Sequence, residues 1–263
     1  MSSSDSSVRY ELRDGAAYLT LDQADRGNPV NVRLIGDLRE AIALAAKDDA
    51  RVVVLDAAGK AFSFGGDIAA FGASADVGAL VDELASSLHE MLLELHALDA
   101  VVVCVVRGTA AGAGFPLAVA GDLVIASSAA KFTMAYTKLG FTPDGGSSLL
   151  VESVGLHRAL HLTLLNPVLS ADEAQRLGLV AQVHAPDDLD AALDTVIATL
   201  LAGSRVAQVG AKRLLRRKAL PDARGDLDRE TAAVVAAAGS PDGAEGIRAF
   251  LDKRPAQFPS TSP

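Results

Sequence analysis

Tryptophan is absent from this chain of 263 residues, and aromatic residues make up only 4% of it. Half of the residues are nevertheless hydrophobic, and alanine, valine and leucine dominate among them. Small aliphatic side chains suit the close packing of helices against a sheet. A chain of this length can bury one good core, as one catalytic domain with a terminal extension.

Cysteine and positive charge are also scarce. Cys104 is the only cysteine, so no disulfide can form within the chain, which is typical of a reducing compartment. The formal net charge is −9, which argues against a general binder of nucleic acid, since that affinity depends on clustered cations. A small anionic ligand remains compatible with this charge, because it needs only a few local donors.

Long apolar runs and secretory features are missing as well. The longest apolar runs, such as Val101–Val106, are far too short to span a bilayer. The first residues, MSSSDSSVRYEL, contain neither the basic region nor the apolar region of a signal peptide. We therefore expect a cytoplasmic protein with no membrane association, and we expect residues 1–7 to form a disordered polar tail.

The pattern of apolar residues predicts an α/β fold. Strand-like runs are expected at 8–13, 16–21, 52–55, 101–106 and 122–126. The later runs show no polar alternation and are separated by helical patterns, which implies a sheet covered on both faces. After Pro186 the pattern is helical almost to the end. We therefore divide the chain into a β/α body over residues 8–186 and a helical C-terminal region over residues 187–263.

Local patterns also predict a turn and two helix starts. Asp14-Gly15, between the first two strand-like runs, indicates a hairpin. Asn31 is a preferred cap residue and precedes a run with apolar residues at helical spacing. Ser170 and Glu173 have the spacing of a capping box.

Two glycine-rich stretches follow buried strands. They are KAFSFGGDI at 60–68 and RGTAAGAGFPLA at 107–118. Small residues at the end of a strand let a ligand approach the backbone closely. Amide N–H groups before a helix can point outward, and two of them aimed at one carbonyl oxygen form an oxyanion hole. Alternatively, the glycines only allow tight turns and close packing. Neither stretch matches a dinucleotide-binding or P-loop motif.

A third stretch, GFTPDGGSS at 140–148, holds a single carboxylate. Asp144 lies between a proline and two glycines, directly before an apolar run. It could be a catalytic acid/base held on a stiff turn, or the cap of the next helix. The local sequence alone favours the cap, because aspartate is a preferred residue before a helix.

Together these stretches resemble the crotonase (enoyl-CoA hydratase/isomerase) superfamily. The resemblance rests on GKAFSFGGDI, VRGTAAGAGFPLAVAGDLVIASSAAKF, KLGFTPDGG and LSADEAQRLGLVAQV, and the ending GAEGIRAFLDKRPAQF is similar to the family's C-terminal signature. The match is collinear from about residue 8 to residue 258. It implies a spiral ββα core with a helical C-terminal trimerisation region, assembled as a homotrimer or a dimer of trimers.

The resemblance also implies an acyl-CoA thioester substrate and no separate cofactor. The backbone amides of Gly66 and Ala113 are expected to hold the thioester carbonyl, and Asp144 is expected to be catalytic. The other substrate- and CoA-binding residues implied are Phe64, Gly65, Asp67, Ile68, Tyr136, Phe250 and Lys253. Phe250 and Lys253 fall where family members reach the adenine and phosphate end of CoA, often across a subunit boundary. Arg26 lies near the start of the family's CoA-contacting segment.

The sequence departs from the hydratases of this family at two positions. Those enzymes use two glutamates, and Pro116 and Tyr136 stand in their places. Proline has no proton to donate, and a tyrosine with the usual pKa of about 10 is a poor base at neutral pH. Asp144 instead matches the aspartate of the phenylacetyl-CoA-epoxide isomerase branch. Dienoyl-CoA isomerases and chlorobenzoyl-CoA dehalogenases also have an aspartate there.

We therefore expect an acyl-CoA isomerase of fatty acid or phenylacetate-type catabolism, with Asp144 as the acid/base. The alternatives are a hydratase-like protein of low activity, a thioester dehalogenase or hydrolase with Asp144 as nucleophile, and an acyl-CoA binder without turnover. The nucleophilic alternative needs a base for deacylation, and no histidine lies in the three glycine-rich stretches.

The histidines predict no metal site. His157 and His161 have helical i,i+4 spacing, but no carboxylate or cysteine is placed to complete a site with them. His89, His96 and His184 are interpreted as ordinary surface or boundary residues.

The helical C-terminal region is expected to supply a subunit interface. Its apolar residues are too numerous for one small subdomain to bury, which favours a trimer or hexamer. They are Leu189, Leu193, Val196, Ile197 and Leu200.

Overall fold

A computed structural model describes residues 6–261 of the chain. The strands are β1 (Val8–Arg13), β2 (Ala16–Leu21), β3 (Val52–Ala57), β4 (Ala61–Ser63), β5 (Val101–Val106), β6 (Thr109–Ala111), β7 (Leu123–Ser127), β8 (Lys131–Thr133), β9 (Leu169–Ser170) and β10 (Gln182–His184). The helices are α1 (Val32–Lys47), α2 (Ile68–Ala73), α3 (Val77–Ala97), α4 (Gly114–Ala118), α5 (Val151–Val154), α6 (Leu156–Leu165), α7 (Ala171–Arg176), α8 (Leu189–Ala202), α9 (Arg205–Ala219), α10 (Ala223–Ala238) and α11 (Pro241–Leu251).

The strands form two sheets, and from β3 to β8 successive strands alternate between them. The six-stranded sheet has the order β1-β2-β3-β5-β7-β10, and the four-stranded sheet has the order β4-β6-β8-β9. Apart from the β1–β2 hairpin and the β8–β9 pair, neighbouring strands are parallel. Each of the pairs β3–β4, β5–β6 and β7–β8 places one strand in the large sheet and the next in the small one. This repetition is the expected ββα spiral.

The predicted local signals are present. The β1–β2 hairpin pairs antiparallel around Asp14-Gly15. The Asn31 side chain accepts a hydrogen bond from the Leu34 amide, 2.9 Å away, at the start of α1. Ser170 and Glu173 form both bonds of the capping box at α7.

The large sheet is covered on both faces, as its apolar strands predict. One face belongs to the main hydrophobic core. The other buries Val52, Val54, Val103, Val105 and Ile125 against Leu189, Leu193 and Ile197 of α8. The argument that this side of α8 forms a subunit interface is therefore wrong, because it packs on the sheet of its own chain.

Exposed apolar side chains lie elsewhere. On α6, Leu156, Leu160 and Leu164 are 57%, 43% and 63% exposed. Their spacing of four residues places them on one side of the helix. We call these three residues the α6 stripe.

The C-terminal helices pack back onto the body. Helix α10 lies along α3, α11 packs on α2, and α9 contacts β5. Among residues 6–261, no single helix is long and apolar enough to cross a membrane. The bent helix pair Pro186–Ala202 and Arg205–Ala219 has the length and composition of a membrane span only when its two helices are taken together.

The disordered tail predicted over residues 1–7 overlaps the described part of the chain at Ser6 and Ser7. Residues 1–5 lie outside the described part of the chain. Ser7 is buried, and both its amide and its hydroxyl donate to the Asp37 carboxylate on α1. The prediction of disorder is therefore wrong at Ser7, where these bonds attach the chain to the body.

Candidate active site

A cavity of about 820 Å³ lies between the two glycine-rich corners, α3 and the C-terminal helix α11. It is lined by every site residue predicted from the sequence except Lys253, namely Phe64, Gly65, Gly66, Asp67, Ile68, Ala113, Tyr136, Asp144 and Phe250. Lys253 is exposed, and the neighbouring Arg254 lines the cavity in its place. Arg26 and Lys138 are the other cationic lining residues in the described part of the chain.

The two glycine-rich corners touch each other at the wall of this cavity. Their strands, β4 and β6, are parallel neighbours, so their carboxyl ends meet at one edge of the small sheet. Gly65 has a φ of +94°, and a Cβ atom there would lie only 2.8 Å from the Ala111 carbonyl oxygen and 3.3 Å from the Ala113 nitrogen. Only glycine permits this backbone conformation and this close approach together.

Two backbone donors at these corners have no acceptor within the described residues. The Gly65 amide donates to the Ser63 hydroxyl at 3.0 Å, and the Gly112 amide donates to the Thr133 carbonyl at 3.1 Å. No such bond from the amide of Gly66 or Ala113 exists between residues 6 and 261. Both residues line the cavity. Two N–H groups are therefore available there to a ligand oxygen.

Asp144 is not a helix cap. The next helical turn is a 3-10 turn at Ser148–Leu150, and it has no side-chain cap. Asp144 is only 6% exposed. Its backbone carbonyl accepts hydrogen bonds from the Tyr136 hydroxyl at 2.9 Å and the Ser147 hydroxyl at 2.6 Å. The turn is thus held through its backbone, which leaves the carboxylate for another role.

The glycines after Asp144 make the turn compact. Gly145 has a φ of +73°, and a Cβ atom there would lie 3.1 Å from Leu88 Cδ2 and 3.3 Å from Pro116 Cγ. Any larger residue would be strained and would push against these side chains. Pro116, which stands at a hydratase glutamate position, is therefore buried behind the turn.

His89 is a site residue that sequence reasoning missed. It lies on α3, is 5% exposed, and places Nε2 at 3.0 Å from Asp144 Oδ1 and 3.5 Å from Glu230 Oε2. The first distance is that of a hydrogen bond, but the angle is too poor for one, so we describe the contact as an ion pair. Burial lowers the pKa of His89, but the carboxylates of Asp144 and Glu230 outweigh it and raise the pKa to about 9.

Glu230, on α10, was also missed. Its Oε2 accepts from the Gly146 amide at 2.8 Å, and its Oε1 accepts from the Ser148 amide at 2.6 Å. A helix of the C-terminal region therefore holds the turn that follows Asp144. One signal was present in the sequence, because Glu230 shares a buried helical stripe with Leu227 and Val234.

His89, Asp144 and Glu230 are close enough to hold a metal ion, since their ligand atoms lie within 4.8 Å of one another. We assign no metal to them. A protonated ring between two carboxylates accounts for the proximity, and both Glu230 oxygens already accept amide bonds. His157 and His161, the pair weighed from the sequence, are exposed on α6.

Tyr136 forms part of the cavity wall, as expected. Burial, followed by the charges of Asp144 and Glu230, raises the pKa of Tyr136 well above its usual range. The phenol therefore stays protonated at neutral pH and donates to the Asp144 carbonyl. It stabilises the turn and is unsuited to act as a base.

Asp67 is the other carboxylate among the described lining residues. Its side chain pairs with Arg26 at 2.7 Å and accepts from the Ala70 amide at the start of α2. These bonds give Asp67 a structural role. Asp144 is thus the lining carboxylate placed to act on a bound ligand.

A cavity with two unpaired amides and a buried carboxylate, built at the ends of a ββα spiral, defines an enzyme of the crotonase type. The enoyl-CoA hydratase/isomerase family matches residues 11–261. The chain belongs to this family.

Named relatives include both isomerases and hydratases. The chain is 36% identical to the 1,2-epoxyphenylacetyl-CoA isomerase of Escherichia coli, over 95% of this chain and 97% of that protein. It is 32% identical to the trans-2-decenoyl-acyl-carrier-protein isomerase of Streptococcus mutans, with the same two coverages. The crystal structure of an enoyl-CoA hydratase from Mycobacterium avium subsp. paratuberculosis superposes with a TM-score of 0.88 at 35% identity, covering 96% of this chain and 98% of that chain.

Proposed function

We propose that the protein is an acyl-CoA isomerase in which the amides of Gly66 and Ala113 hold the thioester oxygen and Asp144 transfers the proton. The observation that carries this proposal is the composition of the cavity. It offers two unpaired backbone donors and one suitably placed carboxylate, and the family resemblance assigns Pro116 and Tyr136 to the positions of the hydratase glutamates.

The chemistry follows from these groups. Two N–H donors on a thioester oxygen stabilise the enolate that forms when an α-proton leaves, and one such donor is worth about 3 kcal/mol. Asp144 takes that proton and returns it to another carbon, so the reaction needs no net acid or base. Addition of water needs a second acid/base group, which the cavity does not contain among its described residues.

The substrate class is supported by the names of two relatives. One acts on 1,2-epoxyphenylacetyl-CoA and the other on a trans-2-decenoyl thioester of acyl-carrier protein. We propose an enoyl or ring-epoxide thioester of CoA as the substrate. Lys138 lines the cavity and would attract the CoA phosphates, whereas the lining residues Arg26 and Arg254 already pair with Asp67 and Glu245.

We further propose that the enzyme needs no metal or other cofactor and acts in the cytoplasm. The proton transfer described above uses only groups of the chain and of the substrate. Dialysis against a chelator should leave turnover unchanged, and a loss that added metal restores would contradict this.

A panel of enoyl-, dienoyl- and epoxy-acyl-CoA thioesters tests the main proposal. We expect an isomeric product from at least one of them, formed about 100- to 10,000-fold more slowly by the Asp144→Asn variant. Hydration of crotonyl-CoA at rates of about 1–1000 per second, as is typical of enzymes, would contradict it. Binding of these thioesters without turnover would instead identify an acyl-CoA binder.

A second candidate function is favoured by His89. No histidine lies in the three glycine-rich stretches, but α3 brings His89 within 3.0 Å of the Asp144 carboxylate. A nucleophilic Asp144 with His89 as base would give thioester-assisted dehalogenation or hydrolysis. Mass spectrometry of protein trapped during turnover decides, since only this function leaves a covalent adduct on Asp144. The ring's raised pKa, about 9, keeps it protonated at neutral pH and favours isomerisation.

We also propose a homotrimer or a dimer of trimers. The α6 stripe supplies an exposed apolar surface for it. Light scattering should give a mass three or six times the 27.0 kDa of one chain, and Leu164→Glu should lower it. Leu44→Glu, on α1 and outside the stripe, is the control. A single-chain mass at micromolar concentration would contradict the proposal.

A further inference from the structure

A separate crevice of about 350 Å³ lies between α3 and α10. Its described lining includes His89 and Thr231 but not Asp144. The substrate cavity is lined by Asp144 but not by His89. The contact between His89 and Asp144 therefore connects the linings of the two spaces.

The two ring nitrogens of His89 face different groups. Nε2 is directed to Asp144 and Glu230, as described above. Nδ1 lies 3.0 Å from the Thr231 hydroxyl. In the protonated ring, both nitrogens carry hydrogen, so Nδ1 donates to Thr231 on the crevice side. The ring thus contacts the catalytic carboxylate and a crevice-lining hydroxyl at once.

Glu230 reinforces this arrangement from the neighbouring position on α10. Its carboxylate is only 6% exposed and is bonded to the two amides that follow Asp144 in the turn. Its contact with His89 closes a buried triad of two carboxylates and one cation. Loss of the cation would leave two buried negative charges in close proximity, which is strongly unfavourable.

We propose that His89 and Glu230 are positioning residues that hold Asp144 from outside the substrate cavity, and that His89 exchanges its ring proton with solvent through the α3–α10 crevice. This inference rests on the proposed role of Asp144. The exchange is balanced: the imidazolium releases the Nδ1 proton to water beside Thr231 and becomes a neutral imidazole, and the reverse step restores it. A bound substrate does not close this route.

The charges around the ring come from each element packed against it. The turn contributes Asp144, and α10 contributes Glu230. At the crevice, α3 adds Asp82 and Glu90, while α10 adds Arg224 and Asp228. Glu90 and Arg224 pair with each other, and the remaining acids favour the protonated ring. The raised pKa of His89 agrees with this geometry.

Nuclear magnetic resonance of the histidine ring nitrogens tests the route without relying on activity. The His89 signal, assigned by its loss in His89→Gln, should show both nitrogens protonated at pH 7. Its N–H exchange rate should be the same with and without a saturating thioether analogue of crotonyl-CoA. Thr231→Val should slow exchange, whereas Thr231→Ser, which keeps the hydroxyl, should not. Protection of the ring by the analogue, or a neutral ring at pH 7, would overturn the route.

Steady-state kinetics test the positioning role. We expect Glu230→Gln and His89→Gln to lower kcat by about 100-fold, the cost of a misplaced catalytic group, with KM nearly unchanged. Each variant should also change the pH at which kcat falls on the alkaline side of its pH profile. Loss of fold alone would not cause such a change. Unchanged kcat and an unchanged pH profile in both variants would overturn the inference.

Asp144→Asn, measured on the same substrates, separates the two proposals. If it turns over at the wild-type rate, the proposed function fails. If it is inactive while His89→Gln and Glu230→Gln behave as wild type, only the positioning inference fails.

Discussion

The two glycine-rich corners and the Asp144 turn form opposite sides of one cavity, but they are built in different ways. The corners present backbone N–H groups at the ends of two adjacent parallel strands. The turn presents a carboxylate that pairs with His89 of α3, and Glu230 of α10 accepts from the turn's amides; both residues are far away in the chain. One side depends on how the backbone runs, and the other depends on which distant side chains meet.

This difference determines how each side responds to mutation. A backbone donor survives most changes of its own side chain, so alanine at position 113 costs no N–H. It is lost when the backbone path changes. The charged side has the opposite behaviour, because replacing one atom of Asp144, His89 or Glu230 changes the balance of a buried triad.

The largest effect is expected from a change in the charged side of the cavity, the Asp144 turn. Asp144→Asn keeps the shape of the side chain but removes the group that accepts and returns a proton. Turnover should fall by about 100- to 10,000-fold, while acyl-CoA affinity measured by calorimetry stays close to that of the wild type. A variant that still isomerises at full rate would leave the carboxylate without a catalytic role.

The next largest effect is expected from a change in the glycine-rich corners, which supply the backbone donors. In Gly65→Ala, the new Cβ meets the Ala111 carbonyl in a conformation that disfavours side chains, which displaces the Gly66 and Ala113 amides. We expect about a 100-fold loss of kcat/KM, since displacements near 1 Å have that cost. Gly36→Ala is the matched control, because it lies on α1 with nothing within 4 Å of its Cβ, and it should retain full activity. Full activity in both variants would contradict the role of the corner.

A smaller effect should appear in stability at alkaline pH. The pKa of His89 is raised from 6.5 to about 9, so its contribution to stability is complete below pH 6.5 and is lost as the pH rises through 9. The free energy of unfolding, compared with that of His89→Gln in urea titrations, should decline by on the order of 2 kcal/mol over this range. Parallel pH curves for the two proteins would show that the ring is neutral in the fold.

The smallest effect concerns the cationic edge of the cavity. Lys138 lines the cavity and Lys253 does not, although the sequence pointed to the latter. Lys138→Ala should weaken CoA binding by about threefold, as expected for an exposed charge pair, and Lys253→Ala should not. Fluorescence titration of both variants checks this, and the reverse order would restore the expectation drawn from the sequence.

Prediction from the sequence succeeded where the cavity wall is built from contiguous segments. The strand ends, the glycines and the TPDGG turn lie in short motifs, and Gly65, Gly66, Ala113 and Asp144 from these motifs line the cavity. It failed for His89 and Glu230, because each lies in an ordinary helical pattern where nothing local indicates a catalytic neighbour. It also failed for α8, since a helix's apolar side does not reveal whether it packs on its own sheet or on another subunit.

The sequence by itself determined the family and the spiral of paired strands. These features depend on the order and spacing of neighbouring residues, which are present in the chain before it folds. Only the tertiary structure decided the partners of Asp144. The docking of α10 along α3 encloses two carboxylates and one histidine in a buried space. At such short distances their charges interact strongly.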